Sequence, residues 1–301
     1  MADSPAPSDP TPTGPSTGDP APTGPPPPGP AAAAPPAAYA EGVPCWADAQ
    51  LPDVEAGKRF YGELFGWTFD TGGDGGDRGQ DRAGDRGEDR AGGDGGGIHL
   101  GDPYGPYVPA WRDGRPVAGL APKRDGRMPT VWTVYFAAPD PAALIRRITA
   151  AGGQVITHPT PIDGLGTMAL AADPEGAVFG LWQGGSHPGF GRRHERSAFC
   201  WAELYARDTA LVDRFYGGLF HDALFGPDAT PDFGRVPVSD LYPAEMPPHF
   251  LVHFGVPECE TALSTVSRLG GRVLAPPFEA SYGRVAVVTD SQGASFAVIE
   301  R

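Results

Sequence analysis

The side chains in this sequence best suited to chemistry are two carboxylates and a histidine in its second half, Glu203, Asp240 and His253. Glu203 and His253 lie in the apolar stretches CWAEL and LVHF, which favour β-strands. The three side chains together could hold a divalent metal or act as an acid–base pair. A single histidine in a strand is also typical of a packed, hydrogen-bonded residue, so both interpretations stay open.

Other reactive motifs are missing from the sequence. Ser186 and His187 follow two glycines, but no nucleophile-elbow pattern surrounds them. The sequence has neither a phosphate loop nor a dinucleotide-binding fingerprint. The cysteines show no CxxC or CxxH spacing for zinc, so we expect reduced, structural thiols at Cys45, Cys200 and Cys259.

An internal repeat organises most of the chain. Residues 45–67 read CWADAQLPDVEAGKRFYGELFGW, and residues 200–222 read CWAELYARDTALVDRFYGGLFHD. A second pair of similar segments spans residues 132–183 and 250–299, in the same order in both copies. The repeat therefore predicts two tandem modules.

Each copy of the repeat begins with a strand, a turn and an amphipathic helix. Asp53 and Asp208 are placed as helix N-caps, and Gly66 is placed to end the first helix. The i, i+4 spacing predicts buried stripes that consist of Phe60 and Leu64 in the first helix and of Phe215 and Leu219 in its counterpart.

The later part of each copy has the same pattern of a strand followed by a helix. Helices are predicted after Asp140 and Glu258, and three strands separated by turns follow each helix. Each module is therefore expected to contain two units, each built from a strand, a helix and further strands.

Two segments have the composition of disordered chain. Residues 1–40 are rich in proline and small residues, and residues 71–97 combine glycine with recurring Asp-Arg pairs. The second segment lacks the nonapeptide period of calcium-binding repeats, so we interpret it as a flexible, solvated insertion. The predicted organisation is a tail at 1–40, module one at 42–183, a linker at 184–197 and module two at 198–301.

Charge and hydropathy narrow the range of partners. The net charge of −14 disfavours nucleic acid, because its phosphates would be repelled. No apolar run approaches membrane-spanning length, and no secretory signal is recognisable. We expect a cytoplasmic protein that binds a small molecule, either as a monomer or as a homodimer.

The closing segment ADPEGAVFGLWQ and the Asp-capped helix that ends in FYGELFGW resemble the vicinal-oxygen-chelate superfamily, which includes glyoxalases, bleomycin-resistance proteins and extradiol dioxygenases. The segments GRPVAGL at 114–120 and CWAEL at 200–204 are similar to tandem members labelled glyoxalase-like or hydroxylase-like. The resemblance implies an α+β fold with two tandem modules. Each module would pair two βαβββ units into a cupped mixed sheet, with helices outside.

The resemblance also implies where a metal would bind. In metal-dependent members a divalent ion lies in the cup, held by His or Gln on a first strand and Glu on a last strand. The matching positions here are Trp46, Thr133 and Gly180 in module one and Trp201, Leu251 and Ala297 in module two. None of these is a normal ligand for a first-row metal, so we expect no cofactor. A relocated divalent metal in module two is the alternative.

Strand side chains alternate, so residues two apart share the face that lines each cup. The face of module one, here named cup one, is predicted to carry Trp46, Asp48, Gln50, Thr133, Tyr135, Gly180 and Trp182. The face of module two, here named cup two, is predicted to carry Trp201, Glu203, Asp240 and His253. Aromatic walls with a few polar groups favour a site for a flat organic ligand, although aromatic residues in a sheet are also common core.

Three classes of function follow from this sequence. The first is a metal-free protein that binds a small hydrophobic or aromatic molecule. The second is a glyoxalase-like lyase or a hydroxylase- or dioxygenase-like enzyme with a relocated site in module two. The third is a structural or regulatory protein whose cups are filled with its own side chains.

Overall fold

The computed structural model describes residues 39–69, 107–123, 125–126, 129–162, 164–226, 229, 232–238 and 246–301. The predicted insertion at 71–97, all of the predicted tail except residues 39 and 40, and the candidate residue Asp240 lie outside these ranges.

The described residues form two halves with similar successions of elements. After its first helix the first half has two strands where the second half has a short helix and one strand. The first half contains β1 (Pro44–Leu51), α1 (Val54–Phe65), β2 (Val108–Arg112), β3 (Arg115–Pro122), β4 (Trp132–Ala137), α2 (Pro141–Ala150), β5 (Gln154–Ile162), β6 (Gly166–Ala172) and β7 (Val178–Gly184). The second half contains β8 (Phe199–Ala206), α3 (Thr209–Leu219), α4 (His221–Phe225), β9 (Phe233–Pro237), β10 (His249–Val256), α5 (Cys259–Arg268), β11 (Arg272–Ala280), β12 (Gly283–Thr289) and β13 (Ser295–Glu300).

Each half builds one mixed sheet. Within the described residues the first sheet has the strand order β2-β3-β1-β4-β7-β6-β5, and the second has the order β11-β12-β13-β10-β8-β9. At the middle of each sheet the opening strands of the two units pair antiparallel, β1 with β4 and β8 with β10. The α+β fold with two modules is therefore confirmed.

The residues predicted to cap the helices do so in the structure. Asp53 accepts a hydrogen bond from the backbone N–H of Ala56, and Asp208 accepts one from Leu211, each at 2.9 Å. These bonds satisfy backbone donors that the first helical turn leaves without an internal partner. Gly66 ends α1 with a φ of 67°, a left-handed conformation that favours glycine.

One predicted stripe is partly wrong. Phe60, Phe215 and Leu219 are buried as expected, but Leu64 is only partly buried. Tyr61 and Phe65 are buried on α1 instead. The helix turns this side inward because it packs against module two as well as against its own sheet.

A single aromatic core joins the two modules. Phe65 on α1 lies 5.3 Å from Phe254 of module two, measured between ring centroids. On the other side, Tyr216 on α3 lies 5.8 Å from Phe179 of module one. Ala47 on β1 faces this core, so its neighbours Trp46 and Asp48 point to the opposite side of the sheet, where cup one lies.

Candidate functional site

The strand register brings the predicted cup residues into matching rows. In module one Trp46 pairs with Tyr135, which pairs with Gly180. In module two Trp201 pairs with His253, which pairs with Ala297. Paired residues project to the same side of a sheet, so each row crosses the floor of its cup. The position that is Tyr135 in module one is therefore His253 in module two.

Cup one contains a cavity of about 220 Å³. Its walls are mainly aromatic and aliphatic side chains with a few polar groups. The lining residues from the sheet and its edges are Trp46, Asp48, Gln50, Tyr107, Pro109, Trp111, Pro116, Ala121, Tyr135, Ile162, Leu165, Met168, Leu170, Trp182, Ser186 and His187. This composition is typical of a site for an organic molecule that is mostly apolar.

Two tyrosines organise the polar floor of the cavity. The hydroxyl of Tyr135 donates a hydrogen bond to Oδ2 of Asp48 at 3.0 Å. The indole N–H of Trp46 donates to the hydroxyl of Tyr107 at 2.5 Å. These bonds fix the direction in which Trp46 and Asp48 face the cavity.

Asp48 is the unusual group of cup one, because it is a carboxyl group with only 6% of its surface exposed. Burial raises its pKa to about 7, although the nearby hydroxyls of Tyr135 and Tyr107 favour the charged form. Its second oxygen, Oδ1, has no hydrogen-bond partner among the described residues. Near neutral pH this group can therefore either accept or donate a hydrogen bond.

Two nitrogen atoms of the cavity wall resemble Oδ1 of Asp48. Trp111 Nε1 and His187 Nε2 are buried and have no hydrogen-bond partner within the described part of the chain. Burial lowers the pKa of His187 to about 4, so its imidazole is neutral at pH 7. Buried polar atoms are normally paired, and each unpaired one costs about 1–3 kcal/mol. These atoms mark positions where a bound molecule or water would find a partner.

Cup two brings Trp201, Glu203 and His253 close together around one more residue, Tyr282. The Tyr282 hydroxyl donates to Oε2 of Glu203 at 2.6 Å and lies 3.4 Å from Nε2 of His253. Burial raises the pKa of Glu203 and lowers that of His253 to about 3. The other nitrogen of His253, Nδ1, lies 3.1 Å from the carbonyl oxygen of Leu251. His253 is therefore neutral near pH 7 and lies between the Tyr282 hydroxyl and the Leu251 carbonyl.

The predicted ligand-binding residues divide into three groups. Those that line the cavity of cup one are Trp46, Asp48, Gln50, Tyr135 and Trp182. Gly180 lies in the row of Trp46, but Thr133 pairs with Asp48 instead, because Tyr135 takes its place in that row. Neither Thr133 nor Gly180 is part of the cavity lining. Trp201, Glu203 and His253 lie together in cup two, whereas Asp240 is outside the described residues.

Sequence reasoning missed several residues of cup one. Tyr107 and Trp111 enter from β2 and the residue before it, and Leu165 and Met168 enter from the β5–β6 hairpin. His187 lies in the segment interpreted as a linker. The alternation of residues on β6 could have indicated Met168 and Leu170, since both lie on one face of that strand.

The comparisons with known proteins agree with this architecture. The family model of the glyoxalase/bleomycin resistance protein/dioxygenase superfamily matches residues 46–181. CFP32 of Mycobacterium tuberculosis (strain CDC 1551 / Oshkosh), a protein named as glyoxylase-like, is 32% identical over 276 residues, covering 87% of this chain and 96% of the relative. This chain belongs to the superfamily.

A second relative within the superfamily is the anthracycline biosynthesis protein DauV of Streptomyces sp. (strain C5). It is 34% identical over 292 residues, covering 87% of this chain and 94% of DauV. Among solved structures, the Mn(II)-bound glyoxalase from Novosphingobium aromaticivorans aligns with a TM-score of 0.53 at 14% identity, covering 86% of this chain and 82% of that one. At that identity the structural likeness concerns the fold alone.

At the positions where the resemblance places metal ligands, Trp46, Thr133 and Gly180 in cup one and Trp201, Leu251 and Ala297 in cup two, no side chain is a usual metal donor. A Cβ atom at Gly180 would lie 2.0 Å from Cδ1 of Tyr135, so the tyrosine ring fills the space that a ligand from the last strand would need. Ala297 at the equivalent position of cup two carries no donor atom. Among the described residues no group of three or more His, Cys, Asp and Glu side chains could hold a metal ion.

The helices give no sign of a membrane span. In the parts of the chain that the structure describes, no helix is both long enough and apolar enough to cross a bilayer.

Proposed function

We propose that this superfamily member binds a small, flat and largely apolar organic molecule in cup one, without a metal ion. The observation that carries the proposal is the cavity of about 220 Å³, whose apolar walls contain three buried polar atoms that have no hydrogen-bond partner among the described residues. Those atoms are Asp48 Oδ1, Trp111 Nε1 and His187 Nε2.

The size and chemistry of the cavity favour an aromatic ligand with polar substituents. Drug-sized sites usually measure roughly 300–1,000 Å³, so this cavity suits about one or two fused rings, or one end of a larger molecule. Burying ring surface contributes roughly 25 cal/mol per Å² of apolar area. Substituents on the ring would supply the hydrogen-bond partners that the three polar atoms lack.

One of the two relatives supports the same class of molecule. DauV is named for anthracycline biosynthesis, and anthracyclines are built around fused aromatic rings. The glyoxylase-like name of CFP32 instead favours an enzyme. We therefore keep a second candidate function, a lyase or a hydroxylase- or dioxygenase-like enzyme.

The observation that favours an enzyme lies in cup one rather than in module two. Asp48 is a buried carboxyl group that faces the cavity and has a pKa of about 7, and within the described ranges its oxygen Oδ1 has no hydrogen-bond partner. Such a group can exchange a proton with a bound substrate at neutral pH.

A binding screen with a blocked variant tests the proposal. Purified protein is titrated with a panel of one- and two-ring aromatic compounds, followed by thermal unfolding and calorimetry. A ligand at 100 times its Kd should add about 2.7 kcal/mol of stability. Met168→Trp, which places a large ring in the cavity wall, should abolish binding, and Ile156→Trp on the exposed face of β5 should not.

Three results would contradict the proposal. The first is that no compound raises the unfolding temperature, and the second is that both tryptophan variants bind equally well. The third is that metal analysis finds a stoichiometric divalent ion that is lost on Glu203→Ala or His253→Ala. That ion would indicate a relocated metal site in module two.

A further inference from the structure

Cup two contains an aromatic ring in the position of a ligand, and the ring belongs to the chain itself. Tyr282 lies in the turn between β11 and β12, and its ring stacks on Trp201 with centroids 5.1 Å apart and planes 24° apart. The edge of the ring meets His253 at 5.7 Å and 80°. Its hydroxyl donates to Glu203 at 2.6 Å. An aromatic wall and a carboxylate together hold this phenol.

The same position in module one is Leu165. Leu170 pairs with Gly180 in the first sheet, and Val287 pairs with Ala297 in the second, so Leu170 and Val287 are equivalent. Leu165 precedes Leu170 by the same five residues that separate Tyr282 from Val287. A leucine has no ring to reach across the cup, and Leu165 forms part of the wall of the cavity.

The groups that hold Tyr282 also have counterparts in cup one. Trp46 matches Trp201 in the repeat, and Asp48 matches Glu203 two residues later. In each cup a tyrosine hydroxyl donates to one carboxylate oxygen, Tyr282 to Glu203 Oε2 in cup two and Tyr135 to Asp48 Oδ2 in cup one. The other oxygen of Asp48, Oδ1, has no partner among the described residues. Cup one therefore has the equivalent wall and carboxylate, and it has space where the phenol would lie.

We propose that Tyr282 is a built-in ligand of cup two, and that cup one takes a free molecule of the same chemistry, a hydroxylated aromatic ring. In cup one the ring packs beside Trp46 and its O–H group donates to Asp48 Oδ1. The cup one part of this inference rests on the proposed function and names its ligand class. A hydrogen bond to a carboxylate should favour a phenol over an aromatic without the hydroxyl by about tenfold or more.

The first experiment measures this preference in the complete protein. 4-Methylphenol, which is the tyrosine side chain as a free molecule, is compared with toluene and 4-methylanisole by calorimetry at pH 8. We expect 4-methylphenol to bind about tenfold more tightly than either analogue. Asp48→Leu should remove the preference, and Asp222→Leu, at an exposed position of α4, should retain it.

The second experiment removes the Tyr282 side chain from cup two. Tyr282→Ala should lower the unfolding temperature, and 4-methylphenol should restore more of the loss than toluene does. In the Tyr282→Ala protein that also carries Glu203→Leu, this advantage of the phenol should disappear. Tyr282→Phe keeps the ring and loses only the hydroxyl, so it should be less destabilised than Tyr282→Ala.

A third variant keeps the inference testable even where Tyr282→Ala does not fold. Leu165→Tyr gives cup one the tyrosine of cup two, and it should abolish 4-methylphenol binding and raise the unfolding temperature above that of Leu165→Phe. Equal stability of these two variants would contradict the proposed contact with Asp48.

The outcomes separate this inference from the proposed function. If wild-type protein binds all three aromatic probes equally well, the proposed function stands and the phenol preference is wrong. If 4-methylphenol rescues Tyr282→Ala but no aromatic compound binds wild-type protein, the assignment of cup two is supported and that of cup one is overturned. Equal rescue by toluene and 4-methylphenol would overturn the assignment of cup two.

Discussion

The hydroxyl of Tyr61, on α1 of module one, donates a hydrogen bond of 2.9 Å to Oδ2 of Asp290, in the last turn of module two. A mirrored bond of 3.2 Å joins Tyr216 on α3 to Oδ2 of Asp173, in the last turn of module one. The other oxygen of Asp290 holds its own turn by accepting from the backbone of Gln292 and Ala294. The closing turn of each module is thus hydrogen-bonded to the first helix of the other module.

Loss of one of these hydroxyls should weaken the whole protein. Tyr61→Phe removes the bond to Asp290 and the bond that Tyr61 accepts from Trp132 at 3.0 Å. Since both lie in the buried core, we expect the free energy of unfolding to fall by about 1–3 kcal/mol. Urea unfolding measures this change, and Tyr216→Phe should behave similarly. A double-mutant cycle with Asp290→Asn that finds no coupling would contradict a direct role for the bond.

A second reciprocal contact lies at the exposed edge of the same interface. The side chain of Gln292 accepts from Asp53 N at 2.7 Å and donates to Asp53 O at 2.8 Å. Glu175 accepts from the backbone N–H groups of Arg207 and Asp208 at 2.8 Å. Gln292→Ala should cost about 0.5–1.5 kcal/mol by urea unfolding, because two such bonds are lost near solvent. Gln154→Ala, at an exposed strand position, is the control and should change stability by less than about 0.5 kcal/mol.

The buried Asp48 should make stability depend on pH. Its pKa is about 7 in the folded protein and 3.8 as an ordinary aspartate, so folding favours the protonated form. Its contribution to stability is therefore complete below about pH 4 and is lost as the pH rises through about 7. The groups that face it are Tyr135 from β4, Tyr107 before β2 and, across the cavity, His187.

Asp48→Asn tests this dependence. The variant should lose the part of the pH dependence that Asp48 supplies, at most about 1.4 kcal/mol per pH unit, and should be more stable than wild type at pH 8. The measurement is the free energy of unfolding at a series of pH values without ligand. The exposed Asp222→Asn serves as a control that should follow wild type. Parallel curves for wild type and Asp48→Asn would show that Asp48 is not held protonated.

Gly180 should tolerate no side chain while Tyr135 keeps its place. A Cβ atom there would lie 2.0 Å from the tyrosine ring, and the hydrogen bond to Asp48 restricts the movement of that ring. Gly180→Ala should therefore destabilise the protein by about 1–3 kcal/mol. Combining it with Tyr135→Ala should cost less than the sum of the two single changes. Gly218→Ala is the control, because outside its own helix backbone and chain neighbours no atom of the described residues lies within 4 Å of its Cβ position, and alanine favours the α3 helix.

Much of the architecture follows from the sequence alone. The repeat at an offset of 155 residues determines two modules, and Asp53, Asp208 and Gly66 determine where helices begin and end. These signals act over a few residues, through backbone hydrogen bonds and backbone conformation. Strand alternation likewise placed Trp46, Asp48 and Gln50 on one face, and all three line the cavity.

Only the tertiary structure showed that cup one contains a cavity. The two cups share a tryptophan and a carboxylate at equivalent positions, but Tyr282 contacts both in cup two, whereas Leu165 at the same place lines the cavity in cup one. Tyr282 is 79 residues from the glutamate that it contacts. Contacts between segments so far apart depend on the packing of whole sheets and hairpins, which no local pattern of residues encodes. For the same reason Tyr61, rather than Leu64, became the buried residue that joins the two modules.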